Sequence, residues 1–189
     1  DNPEKLIKHA KIFIELHLKN NVISVCKHFP GQGSASGDSH EGLVDVTDTW
    51  KKSELTPYKS LIKADSIKAI MTSHLIHKKL DNNLPATLST KVLKDLLRSE
   101  MGFNGVIISD DPSMDAISKN YNLKETLLLM INAGVDIFCF GNNLHYDENL
   151  LKKVFNILLE LYEEKQISEN QIYTSYKRIM TLKKSIGII

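Results

Sequence analysis

Four short apolar runs, each breaking off into polar or charged residues, restrict this chain more than any other feature. Val22-Ile23-Ser24-Val25-Cys26 leads into Lys27-His28, and Ala69-Ile70-Met71 leads into Thr72-Ser73-His74. Gly105-Val106-Ile107-Ile108-Ser109 ends in Asp110-Asp111, and Val135-Asp136-Ile137-Phe138-Cys139-Phe140 ends in Gly141-Asn142. Runs of this length bounded by turn residues read as buried strands. The stretches between them carry apolar residues at helical spacing, and strands alternating with helices imply a parallel sheet with helices outside it. Functional side chains at the C-terminal strand ends are common to an α/β barrel and an open doubly wound sheet. Four βα units are half of an eight-stranded barrel, which typically takes about 250 residues; this chain has 189.

Local signals place the helices. Asn2-Pro3-Glu4 offers an N-cap followed by proline at the first helical position, with Leu6, Ala10, Phe13 and Ile14 on one face. Thr56-Pro57 starts a second helix with Leu61 and Ile62 inward. Ser89 caps a third, whose Val92, Leu93, Leu96 and Leu97 form a stripe ended by Gly102. Asn122 with Glu125 resembles a capping box for a fourth helix that runs to Gly134. Two more are expected near Leu150 to Glu163 and from Ser168-x-x-Gln171 to about Lys184. No shift in composition divides residues 1–189, so they read as one domain.

Charge and hydropathy remove whole classes of function. A formal net charge of +1 leaves no electrostatic footprint for nucleic acid. No apolar run approaches the ~18 residues of a membrane span, so small, neutral partners are expected. Cys26 and Cys139 each fall inside an expected strand and read as reduced, packed thiols, which suits a reducing, cytoplasmic compartment.

The chemistry is concentrated after the first strand. Lys27-His28-Phe29-Pro30-Gly31-Gln32-Gly33-Ser34-Ala35-Ser36-Gly37-Asp38-Ser39-His40 spends three glycines and a proline on a loop while setting down Asp38 and His40. A carboxylate two residues from an imidazole can bond one ring nitrogen and raise the basicity of the other. At the third strand end Asp110 and Asp111 point to opposite faces, so only one looks into a given site. Asp110, the first acid after the strand, is the candidate nucleophile, and Asp111 reads as structural. On residue types alone, His28, Asp38, His40, His74 and Asp110 also suit a divalent metal, although no His-x-His or His-x-x-x-His pair accompanies them.

Taken in order, Lys27-His28-Phe29-Pro30-Gly31-x-Gly33, Asp38-Ser39-His40, Leu84-Pro85-Ala86-Thr87-Leu88-Ser89, Ser109-Asp110-Asp111-x-Ser113-Met114 and Ala133-Gly134-x-Asp136 resemble glycoside hydrolase family 3. The likeness is to its β-N-acetylhexosaminidase branch, which recycles peptidoglycan, and it covers essentially the whole chain. It implies the C-terminal half, strands five to eight, of a TIM (β/α)8 barrel. It further implies Asp110 as the nucleophile, His40 as general acid and base, and Asp38 as the group that orients His40. Lys27, His28, His74 and Met114 would line the sugar site, with no metal and no cofactor. The expected partners are N-acetylglucosamine-containing glycans or muropeptides.

Two positions depart from the family pattern, which commonly has histidine at Gln32 and leucine at Pro112. The family's first four strands also supply sugar-binding groups that this chain lacks. Beginning at Asp1 rather than Met, it is therefore expected to be part of a longer protein or one half of a two-chain enzyme. The activity implied is that of a retaining exo-β-N-acetylglucosaminidase. A metal-dependent barrel hydrolase and a non-catalytic half-barrel that needs an N-terminal partner are the alternatives.

Overall fold

A computed structural model describes residues 2–37, 42–143 and 146–189. Helix α1, Pro3–Leu18, starts as the local signals require, with the Asn2 side chain accepting the Lys5 amide. Its C-terminal end holds the chain longer than expected: the Val22 amide bonds back to the His17 carbonyl, and Asn21 takes a positive φ of 57°. Strand β1 therefore runs from Val25 to Phe29, a correction to the expected Val22 to Cys26. Lys27 and His28 belong to the strand rather than to the loop after it.

Strands β3, Ala69–Thr72, and β5, Val106–Ile108, complete a parallel sheet in the order β1-β3-β5. The β1–β3 register is irregular between Cys26 and Phe29, where the Lys27–His28 and Phe29–Pro30 peptide bonds are cis. The fourth expected strand is reduced to a parallel bridge between Ile137 and Ile108. Its physical reason lies in Ser109: the Oγ, not a strand carbonyl, takes the Cys139 amide at 3.0 Å. Sequence reading missed a second, two-stranded parallel sheet in which β2, Val44–Asp45, pairs with β4, Leu75–Ile76.

Around the sheet stand α2, Thr56–Lys63; the helix Lys91–Glu100; α3, Asp115–Ser118; α4, Leu123–Ala133; α5, Leu150–Glu163; and α6, Glu169–Ser185. The Ser89 hydroxyl accepts the Val92 amide at the start of Lys91–Glu100. That helix buries Val92, Leu93, Leu96 and Leu97, the stripe read from the sequence. Fully burying each such side chain contributes about 1.5–3 kcal/mol. Only half of the expected box forms at α4, where Asn122 accepts the Glu125 amide, and Gly134 ends the helix at φ 92°. At α6 both halves form between Ser168 and Gln171. With Phe29, Ile70, Phe103, Ile107, Leu127 and Met130 at the centre, the core fills the space between sheet and helices. The fold is α/β, and its strand ends deliver Lys27, His28, His74 and Asp110 to one side.

Candidate active site

Asp110 and Asp111 divide the work at the end of β5. The Asp110 Oδ1 accepts the Asp111 amide at 2.9 Å. Its Oδ2 lies 3.7 Å from the His28 Nε2, with about a fifth of the side chain exposed. Asp111 is fully engaged: Oδ1 takes both the amide and hydroxyl of Ser113 at 2.8 and 2.7 Å, and Oδ2 takes the Gly141 amide at 3.0 Å. A carboxylate bound by three donors braces the end of β5 against the segment after Ile137. The other keeps an oxygen for chemistry.

Beneath them runs a buried polar ring. The Asp110 amide donates to the Thr72 Oγ1 at 3.3 Å, and Thr72 and Thr87 hydroxyls lie 2.8 Å apart. His74 places Nδ1 2.9 Å from the Thr87 Oγ1 and Nε2 2.9 Å from the Asp111 carbonyl. Burial pushes the His74 pKa down from its usual value. With 1 % of its surface exposed and both ring nitrogens bonded to protein, it has nothing to offer a sugar. The expectation that His74 lines the sugar site is thus corrected to a place beneath Asp110. Met114 is corrected too: it is 3 % exposed, and its carbonyl accepts the Ile117 and Ser118 amides that open α3.

Lys27 is exposed on β1 and His28 half-buried beside it. Asp38 and His40 lie outside the described residues, but the chain leading to them is firmly held. Glu54, which the sequence reading did not single out, accepts the Gly33 amide at 3.2 Å, the Ser34 hydroxyl at 2.5 Å and the Lys51 amide at 3.2 Å. The Trp50 indole donates to the Pro30 carbonyl at 3.2 Å. Gly31 has φ 126° where a Cβ would meet Glu54 at 2.7 Å, so the glycine-rich pattern after Phe29 was the available signal for a close partner. Cys139 borders this region, and burial, followed by the Asp111 and Asp110 carboxylates, pushes its thiol pKa up. Cys26 is likewise a free thiol, raised to about 11 by burial.

Asp110 and His28 are part-buried, with 19 and 25 % of their side chains exposed. Concavities of about 490, 530 and 540 Å³ lie elsewhere: beside α6 and Gly102 to Val106, between α5 and α6, and between α1 and Val25. None of the three includes Asp110, His28 or Lys27. Among the described residues no three His, Cys, Asp or Glu side chains converge as a metal-binding group. No helix among them is long and apolar enough to cross a membrane. The arrangement offers a part-buried carboxylate just past the end of β5, with an imidazole and an exposed lysine near it.

Comparison with known proteins gives a consistent family. The model of the glycosyl hydrolase family 3 N-terminal domain matches residues 1–182. Beta-hexosaminidase A of Pseudoalteromonas piscicida is 30% identical over 98% of this chain and 34% of its own length. A beta-hexosaminidase of Tolumonas auensis is 36% identical over 75% of this chain and 43% of its own. Among solved structures, a family 3 beta-N-acetylglucosaminidase from Paenibacillus sp. str. FPU-7 superimposes with a TM-score of 0.89 at 31% identity, covering 98% of this chain and 35% of that one. The chain thus spans about a third to two-fifths of the length of these relatives.

Proposed function

This chain belongs to glycosyl hydrolase family 3, whose N-terminal domain is of the TIM-barrel type, and we propose that it is the C-terminal half of such a barrel, strands five to eight, carrying the catalytic groups of a retaining exo-β-N-acetylglucosaminidase. Residues 1–189 form one partial barrel domain in this reading. The exposed edge of β1 at Val25, 37 % exposed, supports a missing N-terminal half that walls the sugar site. Its substrates are N-acetylglucosamine-terminated fragments of peptidoglycan, in keeping with the beta-hexosaminidases that it resembles.

One observation carries the mechanism: at the end of β5, Asp111 is consumed by Ser113 and Gly141 while Asp110 keeps Oδ2 available beside His28. Retaining hydrolysis requires a nucleophile to attack the anomeric carbon and a proton carrier beside the leaving oxygen. Asp110 attacks, and a covalent glycosyl-enzyme forms. His40, oriented by Asp38, protonates the departing sugar and then takes a proton from the water that releases the product. Lys27 and His28 hydrogen-bond the hydroxyls of the terminal sugar, and His28 keeps the Asp110 carboxylate aimed.

The test is hydrolysis of 4-nitrophenyl N-acetyl-β-glucosaminide and of an unactivated disaccharide by the protein that bears this chain. Asp110→Ala is expected to abolish both. His40→Ala is expected to slow the disaccharide far more than the arylglycoside, whose leaving group needs little protonation. Equal losses on the two substrates would remove His40 from the acid role.

A further inference from the structure

The Leu84-Pro85-Ala86-Thr87-Leu88-Ser89 motif has no part in the mechanism above, yet Thr87 is completely buried and touches everything beneath Asp110. Its hydroxyl lies 2.8 Å from the Thr72 Oγ1, 2.9 Å from the His74 Nδ1 and 2.7 Å from the Ser73 carbonyl. The directions of these bonds follow from counting protons. The Asp111 carbonyl only accepts, so the His74 Nε2 carries the hydrogen. The Ser73 carbonyl likewise only accepts, so the one Thr87 hydroxyl proton goes to it at 2.7 Å. The same carbonyl also takes the Thr87 amide at 3.0 Å. Thr72, which accepts from the Asp110 amide, turns its own proton toward Thr87.

We propose that Thr87 and His74 are positioning residues for Asp110: a connected set of buried hydrogen bonds, linking the Asp110 amide, Thr72, Thr87, His74 and the Asp111 carbonyl, clamps both ends of the dipeptide that presents the nucleophile. The inference rests on Asp110 being that nucleophile. The set joins β3, the 3-10 turn Ala86–Leu88 and the end of β5, three segments far apart in sequence. Linked hydrogen bonds in a buried site polarise one another, so deleting one hydroxyl weakens the whole clamp. A carboxylate allowed to drift by about 1 Å loses on the order of 100-fold in rate.

Two substitutions separate clamping from packing. Thr87→Val keeps the shape and deletes the hydroxyl, whereas Thr87→Ser keeps the hydroxyl and deletes a methyl. With the arylglycoside, Thr87→Val is expected to lower kcat by about 10- to 100-fold with KM within about threefold, and Thr87→Ser to stay within about threefold of wild type. The reverse order would make Thr87 a packing residue and overturn the clamp. A second measurement needs no turnover. The 15N spectrum of the His74 ring in the wild-type protein should show a protonated Nε2, as its bond to the Asp111 carbonyl requires. A bare Nε2 would overturn the clamp at its Asp111 end. If Asp110→Ala is inactive and Thr87→Val is indistinguishable from wild type, the clamp alone fails. Retained turnover in Asp110→Ala sinks the nucleophile reading, and the clamp with it.

Discussion

Replacing Asp136 with alanine should unfold this chain far more readily than any surface change, and the structure says by how much. The carboxylate is wholly buried and accepts four hydrogen bonds. Oδ2 takes the Arg98 Nη2 at 2.7 Å and the Ile107 amide at 2.9 Å; Oδ1 takes the Ser175 hydroxyl at 2.7 Å and the Arg178 Nη1 at 3.1 Å. It thereby ties the helix Lys91–Glu100 and α6 to β5, three residues before Asp110. Arg98 is the partner that matters most, because only 11 % of its side chain reaches solvent. Burial lowers its pKa to about 10, yet at pH 7 it remains charged, so losing Asp136 strands a buried guanidinium that cannot escape by deprotonating. Removing one partner of such a pair costs about 3–5 kcal/mol. In a domain of this size each kcal/mol shifts Tm by about 2–4 °C, giving an expected fall of about 6–20 °C.

The control is Arg178→Ala. That side chain is 28 % exposed and meets the same carboxylate at the longer distance, so its loss should cost about 1 kcal/mol or less. Thermal unfolding followed by circular dichroism at pH 7 compares the two. Raising the salt to about 1 M, where the Debye length is near 3 Å, should leave the Asp136→Ala deficit largely intact because the pair is shielded from solvent ions. Equal Tm losses for the two variants, or a loss under about 2 °C for Asp136→Ala, would refute the claim that this carboxylate holds α6 and Lys91–Glu100 on the sheet.

Two further predictions concern the surroundings of the glycine-rich loop. Gly31→Ala places a Cβ 2.7 Å from the Glu54 side chain at φ 126°; a destabilisation of about 1–3 kcal/mol is expected, and a midpoint unchanged in urea would show that Glu54 gives way freely. His77 is buried with its ring 4.5 Å from that of Trp50, and neither ring nitrogen has a hydrogen-bond partner among the described residues. Burial, and then the charge of Lys79, hold its pKa below the usual value. The unfolded chain protonates this histidine near pH 6.5 while the folded chain resists, so stability present above that pH is lost as pH falls toward the lower folded value. His77→Phe should therefore match wild type at pH 7.5 within about 1 kcal/mol and exceed it at pH 5.5; a gap that does not change with pH would remove His77 from the acid response.

What the sequence revealed was whatever a few neighbouring residues decide. Asn2 with Pro3 starts α1, and Ser168 with Gln171 closes a capping box at α6, because a cap satisfies amides only three residues away. The failures all involve partners chosen by the tertiary fold. Val22 and Ile23 read as strand because they are apolar, yet the helix end holds the Val22 amide. Lys27 and His28 read as loop because they are polar, yet they extend β1 to Phe29.

The deeper lesson lies in polar side chains whose work is invisible without their acceptors. His74 looks the same in a sequence whether it faces a sugar or a carbonyl; the Thr87 hydroxyl, thirteen residues away, and the Asp111 carbonyl decide the matter. Nothing beside Glu54 in the sequence marks it as the partner of Gly33 and Ser34, some twenty residues earlier, which are bonded to it. Burial makes such groups costly unless every donor and acceptor is matched. The matching therefore transmits geometry: the glycine-rich loop leaves β1 along a path set by Glu54 and Trp50, and Asp110 leaves β5 along one set by Thr72, Thr87 and His74. A motif lists the groups that meet the substrate, but their aim is held by side chains that motif reading assigns to the core.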